Sequence, residues 1–136
     1  MVKVIMGLKG SGKTKKLIDT MNTAIRDETG NMICIERGTK LTFDLDYRVR
    51  LIESSEYDLD SYEFLKGFIS GLYAGNYDIS HIFIDSLYKI VGSDDTAEVE
   101  AFLQWVEDFS KTTGVKFTIT ISADVESATE GIKKYL

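Results

Sequence analysis

The apolar positions of this chain change period from one stretch to the next, and each change marks an element. Val2, Val4, Ile5 and Met6 form a short apolar run, a strand candidate. From Lys13 onward Leu17, Ile18, Met21, Ala24 and Ile25 return at helical spacing, and Gly30 offers a left-handed stop. Residues 31–36 are mostly apolar, as in strands buried on both faces, and end in a carboxylate. Leu41, Phe43, Leu45, Tyr47, Val49 and Leu51 alternate strictly. That period predicts extended chain, divided into two short strands bent near residues 44–46, because one strand of that length would be unusual.

The second half repeats the alternation of elements. Leu59, Tyr62, Leu65, Phe68, Ile69 and Leu72 predict a helix over 58–74, in which Gly67, Gly71 and Gly75 allow close approach to another element. A turn at 75–78 leads into the apolar run 81–85, again ending in a carboxylate. Asp95 and Glu98 have capping-box spacing before a stripe of Val99, Phe102, Leu103, Val106 and Phe109, with Trp105 as packing beside it and Gly114 as the stop. Residues 115–121 are a strand, and Asp124 caps a last helix carrying Val125, Ala128, Ile132 and Tyr135. Strands alternating with helices predict an α/β three-layer sandwich built on a mainly parallel sheet, with ligands at the carboxyl ends of its strands.

Bulk properties narrow the function. With 136 residues and 43% hydrophobic content, residues 1–136 form one domain with a real core. A net charge of −6 with arginine only at positions 26, 37, 48 and 50 gives no strong nucleic-acid signal. The N-terminal residues resemble neither a signal peptide nor a membrane span, so the expectation is a cytoplasmic protein with no membrane partner. Cys34, the lone cysteine, sits in an apolar run and reads as core. His81, the lone histidine, reads as a turn or edge residue, since no further metal ligands cluster near it. Asp94, Asp95, Glu98 and Glu100 read as helix-start charges.

Residues 7–14, Gly-Leu-Lys-Gly-Ser-Gly-Lys-Thr, match the phosphate-binding pattern G-x-x-x-x-G-K-[ST] in full, between the strand and helix that it requires. Gly7, Gly10 and Gly12 let the backbone turn its N–H groups inward, with Lys9 and Ser11 in the same loop. Lys13 is placed to reach nucleotide phosphates and Thr14 to ligate Mg²⁺. An acidic anchor for the metal belongs where an apolar strand ends in Asp, and Asp85 after Ile82-Phe83-Ile84 has that form.

The run Ile82-Phe83-Ile84-Asp85-Ser86, with Glu36 ending the strand after the first helix and Ser122 ending Ile119-Thr120-Ile121, resembles the RecA-like ATPases. The resemblance covers the element order over most of the chain. It implies the P-loop nucleoside triphosphate hydrolase fold, ATP and Mg²⁺ as ligands, Lys13 and Glu36 as catalytic residues, and Ser122 at a phosphate-sensing position. RecA-like motors also take a basic residue from a neighbouring subunit. Arg48 and Arg50 share one face of an extended segment and can meet a phosphate, or pair with Asp44 and Asp46 across a hairpin. There is a weaker likeness to the secretion and twitching-motility ATPases, whose separate N-terminal domain and His-rich motif do not fit in this chain. The leading expectation is an ATP-binding protein with slow Mg²⁺-dependent hydrolysis. A small-molecule or nucleoside kinase and a non-hydrolysing, nucleotide-dependent binding module are the alternatives, with assembly into a homo-oligomer or with another protein left open.

Overall fold

In the computed structural model, which describes residues 1–38 and 45–136, five strands form one sheet: β1 (Val2–Gly7), β2 (Asn31–Glu36), β3 (Val49–Glu53), β4 (Ile79–Ile84) and β5 (Lys116–Ser122). Their spatial order is β1-β5-β4-β2-β3, and every pairing is parallel. Parallel neighbours need crossovers: α1 (Lys13–Asp27) joins β1 to β2, α2 (Tyr62–Gly75) joins β3 to β4, α3 (Leu87–Val91) and α4 (Thr96–Thr113) join β4 to β5, and α5 (Glu130–Lys133) follows the last strand. The central strands read as continuous apolar runs because both faces are covered. On one face Met32, Cys34 and Phe83 pack with Leu17, Met21 and Ala24 of α1. On the other, Ile33, Ile35, Ile82, Ile84, Phe117 and Ile119 pack with residues of α2 and α4, including Leu65, Ile69, Phe102 and Val106. The architecture is a three-layer α/β sandwich.

Several expectations change in detail. The helix of 58–74 starts at Tyr62, because Ser54–Tyr57 forms a 3-10 turn, Asp58 is left-handed (φ 54°) and the Ser61 side chain accepts from the Phe64 N–H as cap. Gly67, Gly71 and Gly75 are exposed, and a Cβ on any of them meets nothing, so this stripe is not a close-approach surface. Gly30 is not the left-handed stop of α1, whose cap is extended Glu28; a Cβ on Gly30 would collide with Ser80 and the Asp78 carbonyl. The segment after Asp124 is a 3-10 turn followed by the one-turn α5 instead of a single helix.

The alternating stretch 41–51 is only partly described. Asp44 and the first of its two expected strands lie outside the described residues. Residues 45–48 bend and turn, and the strand that follows, β3, runs parallel to β2, while the hairpin partner expected for it falls outside the described residues. Among the described residues Arg48 pairs with no carboxylate. Its guanidinium donates to the carbonyls of Ile25 (2.6 Å) and Glu28 (3.1 Å), closing the negative C-terminal end of α1. Arg50 is exposed on the sheet edge. At the opposite edge the Val4 N–H donates to the Tyr135 carbonyl (2.9 Å), so the C-terminal segment covers part of β1. No helix among the described residues is long and apolar enough to cross a membrane.

Candidate functional site

Parallel strands bring their carboxyl ends to one rim of the sheet. Reading across it, Gly7 of β1 is in register with Ser122 of β5, Asp85 follows β4, and Glu36 of β2 is in register with Glu53 of β3. The glycine loop leaves this rim and enters α1. Gly10 and Gly12 are left-handed (φ 84° and 86°), where a side chain would be strained, and Ser11 N–H donates to the Leu8 carbonyl (3.1 Å) to tighten the turn. Gly7 is tightly packed for a different reason: a Cβ there would meet the Ser11 side chain, which would have to move. Lys13 Nζ donates to the Leu8 carbonyl (3.1 Å), which holds the ammonium across the loop mouth.

The start of α1 breaks the usual rules of helix design. Its cap, Gly12, offers no side-chain acceptor, and its first turn carries no acid. Instead Lys13, Lys15 and Lys16 crowd the positive end of the helix dipole. Local preference broken in this way is expected at functional sites, and a helix end of this kind suits an anion.

A cavity of about 600 Å³ opens over this end, lined by Lys9, Gly10, Gly12, Lys13, Thr14, Ser86, Lys89 and Ser122. In a chain of net charge −6, this lining holds three lysines and, among the described residues, no carboxylate. Among the described residues, Lys9, Lys13 and Lys89 form no ion pair, whereas Lys66, Lys111, Lys116, Lys133 and Lys134 all do. The volume is ordinary for a small-molecule site. No protein-family model and no curated protein sequence matches the chain. The chemistry of the site therefore rests on its own geometry.

Two buried carboxylates end the strands on this rim. Glu36 and Asp85 are each 1% exposed, so Glu36 is neither solvated nor part of the cavity lining. They occupy adjacent strands on the α1 face, next to Cys34. Burial pushes the Cys34 thiol well up, and the charges of Asp85 and Glu36 add to that, which keeps it an inert core group. Thr120 of β5 ties this rim together: its hydroxyl donates to Asp85 Oδ1 (2.7 Å) and accepts from the Ser86 N–H (2.7 Å). Ser86 is left-handed (φ 58°), an uncommon state for a residue with a side chain, and from it α3 springs directly over the cavity.

The structure thus brings Lys9, Gly10, Gly12, Lys13, Thr14 and Ser122 into one lining, with Gly7 and Ser11 supporting the loop and Asp85 buried beside it. Glu36 stands apart, on the strand three spacings, roughly 14 Å, from β1. Three residues escaped sequence reasoning. Lys89 belongs to a helix too short to be noticed, although Leu87, Ile90 and Val91 between Ser86 and Gly92 carried its i, i+3, i+4 signal. Thr120 looked like an ordinary strand residue. Glu53 accepts from the Gly38 N–H (2.6 Å), the Ser55 N–H (3.0 Å) and the Ser55 hydroxyl. These bonds hold its carboxyl below the usual range and pin the chain just after Glu36. Its signal was a third apolar run ending in an acid, Leu51-Ile52-Glu53.

His81 departs furthest from expectation. It is 2% exposed on the central strand β4, stacked on Phe83 with ring centroids 4.0 Å apart. Its Nδ1 lies 3.1 Å from Glu28 Oε2 and its Nε2 2.9 Å from Thr118 Oγ1. Burial, outweighing the pull of Glu28, lowers its pKa and favours the neutral ring. This network sits at the amino ends of the strands, away from the cavity.

Proposed function

We propose that the chain is a P-loop nucleotide-binding protein, RecA-like in its arrangement, that binds ATP with Mg²⁺ and hydrolyses it slowly. The observation that carries this reading is the cavity of about 600 Å³, free of acids among the described residues, at the uncapped, lysine-bearing start of α1, where Gly10 and Gly12 are left-handed. Such a donor set, with three lysines and the Thr14, Ser86 and Ser122 hydroxyls, fits a chain of phosphates. In this reading the amides of residues 10–14 and Lys13 bind the phosphate oxygens, Thr14 and Asp85 hold Mg²⁺, and Thr120 keeps Asp85 aimed. The metal neutralises charge on the phosphates. Glu36 orients water, taking its proton as the water oxygen bonds to the terminal phosphorus and the bridging P–O bond breaks.

One observation favours a second reading. Glu36 is buried outside the cavity lining, which suits a binding module that holds nucleotide without turning it over. Nucleotide titration together with phosphate release decides between them. The hydrolase reading expects turnover by the unaltered protein, loss of binding in Lys13→Ala, and binding without turnover in Glu36→Gln. Binding without release in the unaltered protein selects the module, and no binding of ATP at all refutes both.

A further inference from the structure

We propose that Lys89 contacts the terminal phosphate from within the same chain and makes the site prefer a nucleoside triphosphate to a diphosphate. The inference rests on the nucleotide reading above and adds the group that senses the third phosphate.

Three features of α3 carry it. First, Lys89 and Ser86, one helical turn apart, both line the cavity. Second, α3 is anchored on its other side. Leu87, Ile90 and Val91 are buried in the core, the Ser86 N–H is held by Thr120 (2.7 Å), and the Gly92 N–H closes the helix on the Tyr88 carbonyl (2.8 Å). Third, the exposed Lys89 has no ion pair among the described residues, so its charge is not spent on a carboxylate.

Position along the rim assigns the phosphate. The glycine loop leaves β1, whereas α3 leaves β4, two strands away. Lys89 therefore approaches from the side opposite the loop, four residues after Asp85. A phosphate chain held at its inner end by the glycine loop would extend across the cavity toward α3, so that its terminal phosphate would lie nearest Lys89.

The test is equilibrium binding of a non-hydrolysable ATP analogue and of ADP, each with Mg²⁺, to the intact chain and to Lys89→Ala and Lys89→Arg. Loss of one charge-assisted contact predicts about 10-fold weaker triphosphate binding in Lys89→Ala, ADP binding within about 2-fold, and partial recovery in Lys89→Arg. Equal weakening for both nucleotides, or for neither, overturns the assignment while leaving the nucleotide reading intact. Failure of the unaltered chain to bind either nucleotide overturns the reading and the assignment together.

Discussion

Replacing Thr120 by Val keeps the shape of the side chain and removes the hydroxyl that links β5, the end of β4 and the start of α3. Two bonds are lost: a donation to the Asp85 carboxylate (2.7 Å) and an acceptance from the Ser86 N–H (2.7 Å). A hydrogen bond to a charged group contributes about 1.5–3 kcal/mol and a neutral one about 0.5–1.5 kcal/mol. Ser86 is only half-buried, so water relieves part of its loss, and the added methyl group returns about 0.8 kcal/mol of burial. The net cost is about 2–3 kcal/mol, which at this chain length lowers Tm by roughly 8–12 °C. Thr120→Ser keeps the hydroxyl and loses one buried methyl, for about 1 kcal/mol and roughly 4 °C. Thermal and urea melts of both variants give the comparison, and a nucleotide titration reads the site, where α3 would be released only in the Thr120→Val variant. Tm values for the two variants within about 2 °C of each other would refute a stabilising role for the hydroxyl bracket.

Arg48→Ala uncaps the far end of α1, leaving the Ile25 and Glu28 carbonyls without the guanidinium. The expected cost is about 1–2 kcal/mol, seen in urea melts, and Arg48→Lys recovers only part because one ammonium cannot reproduce the fork. Nucleotide affinity should stay within about 2-fold, since the loop lies at the other end of the helix, roughly 22 Å away. The His81 network predicts loss of stability on acidification. His81 has its pKa lowered by burial from an ordinary 6.5, so the unfolded chain takes up the proton first and stability falls as pH drops below about 6.5. For Glu28, burial raises the pKa, but the bond and charge of His81, with Ser80 and Lys116, outweigh it and lower the pKa from 4.5, which adds a second loss below about pH 4.5. The groups that face this site are Glu28, Thr118, Ser80, Lys116 and the Met1 ammonium. His81→Gln should flatten the decline of the urea midpoint between about pH 7 and pH 5, and an unchanged slope would place the titrating group elsewhere.

The chain alone determined the features that depend on local chemistry or on a periodic face. The glycine loop was legible because Gly10 and Gly12 are needed wherever the backbone must turn left-handed, and the strand–helix context followed from period. Capping by Asp95 and the left-handed stop at Gly114 were legible for the same reason. Burial of Cys34 followed from its apolar neighbours. Tertiary structure decided what depends on which strands become neighbours, and no local pattern encodes that. Placing β5 between β1 and β4 is what lets Thr120 hold Asp85 and brings Ser122 to the cavity. A central position for β4 buries His81 and supplies its partners from α1 and β5, residues remote in sequence. Arg48 finds the end of α1 only because β3 lies parallel to β2. Lys89 acquires meaning from the direction of one short helix, a direction fixed by burial of its other side and by a hydroxyl from another strand.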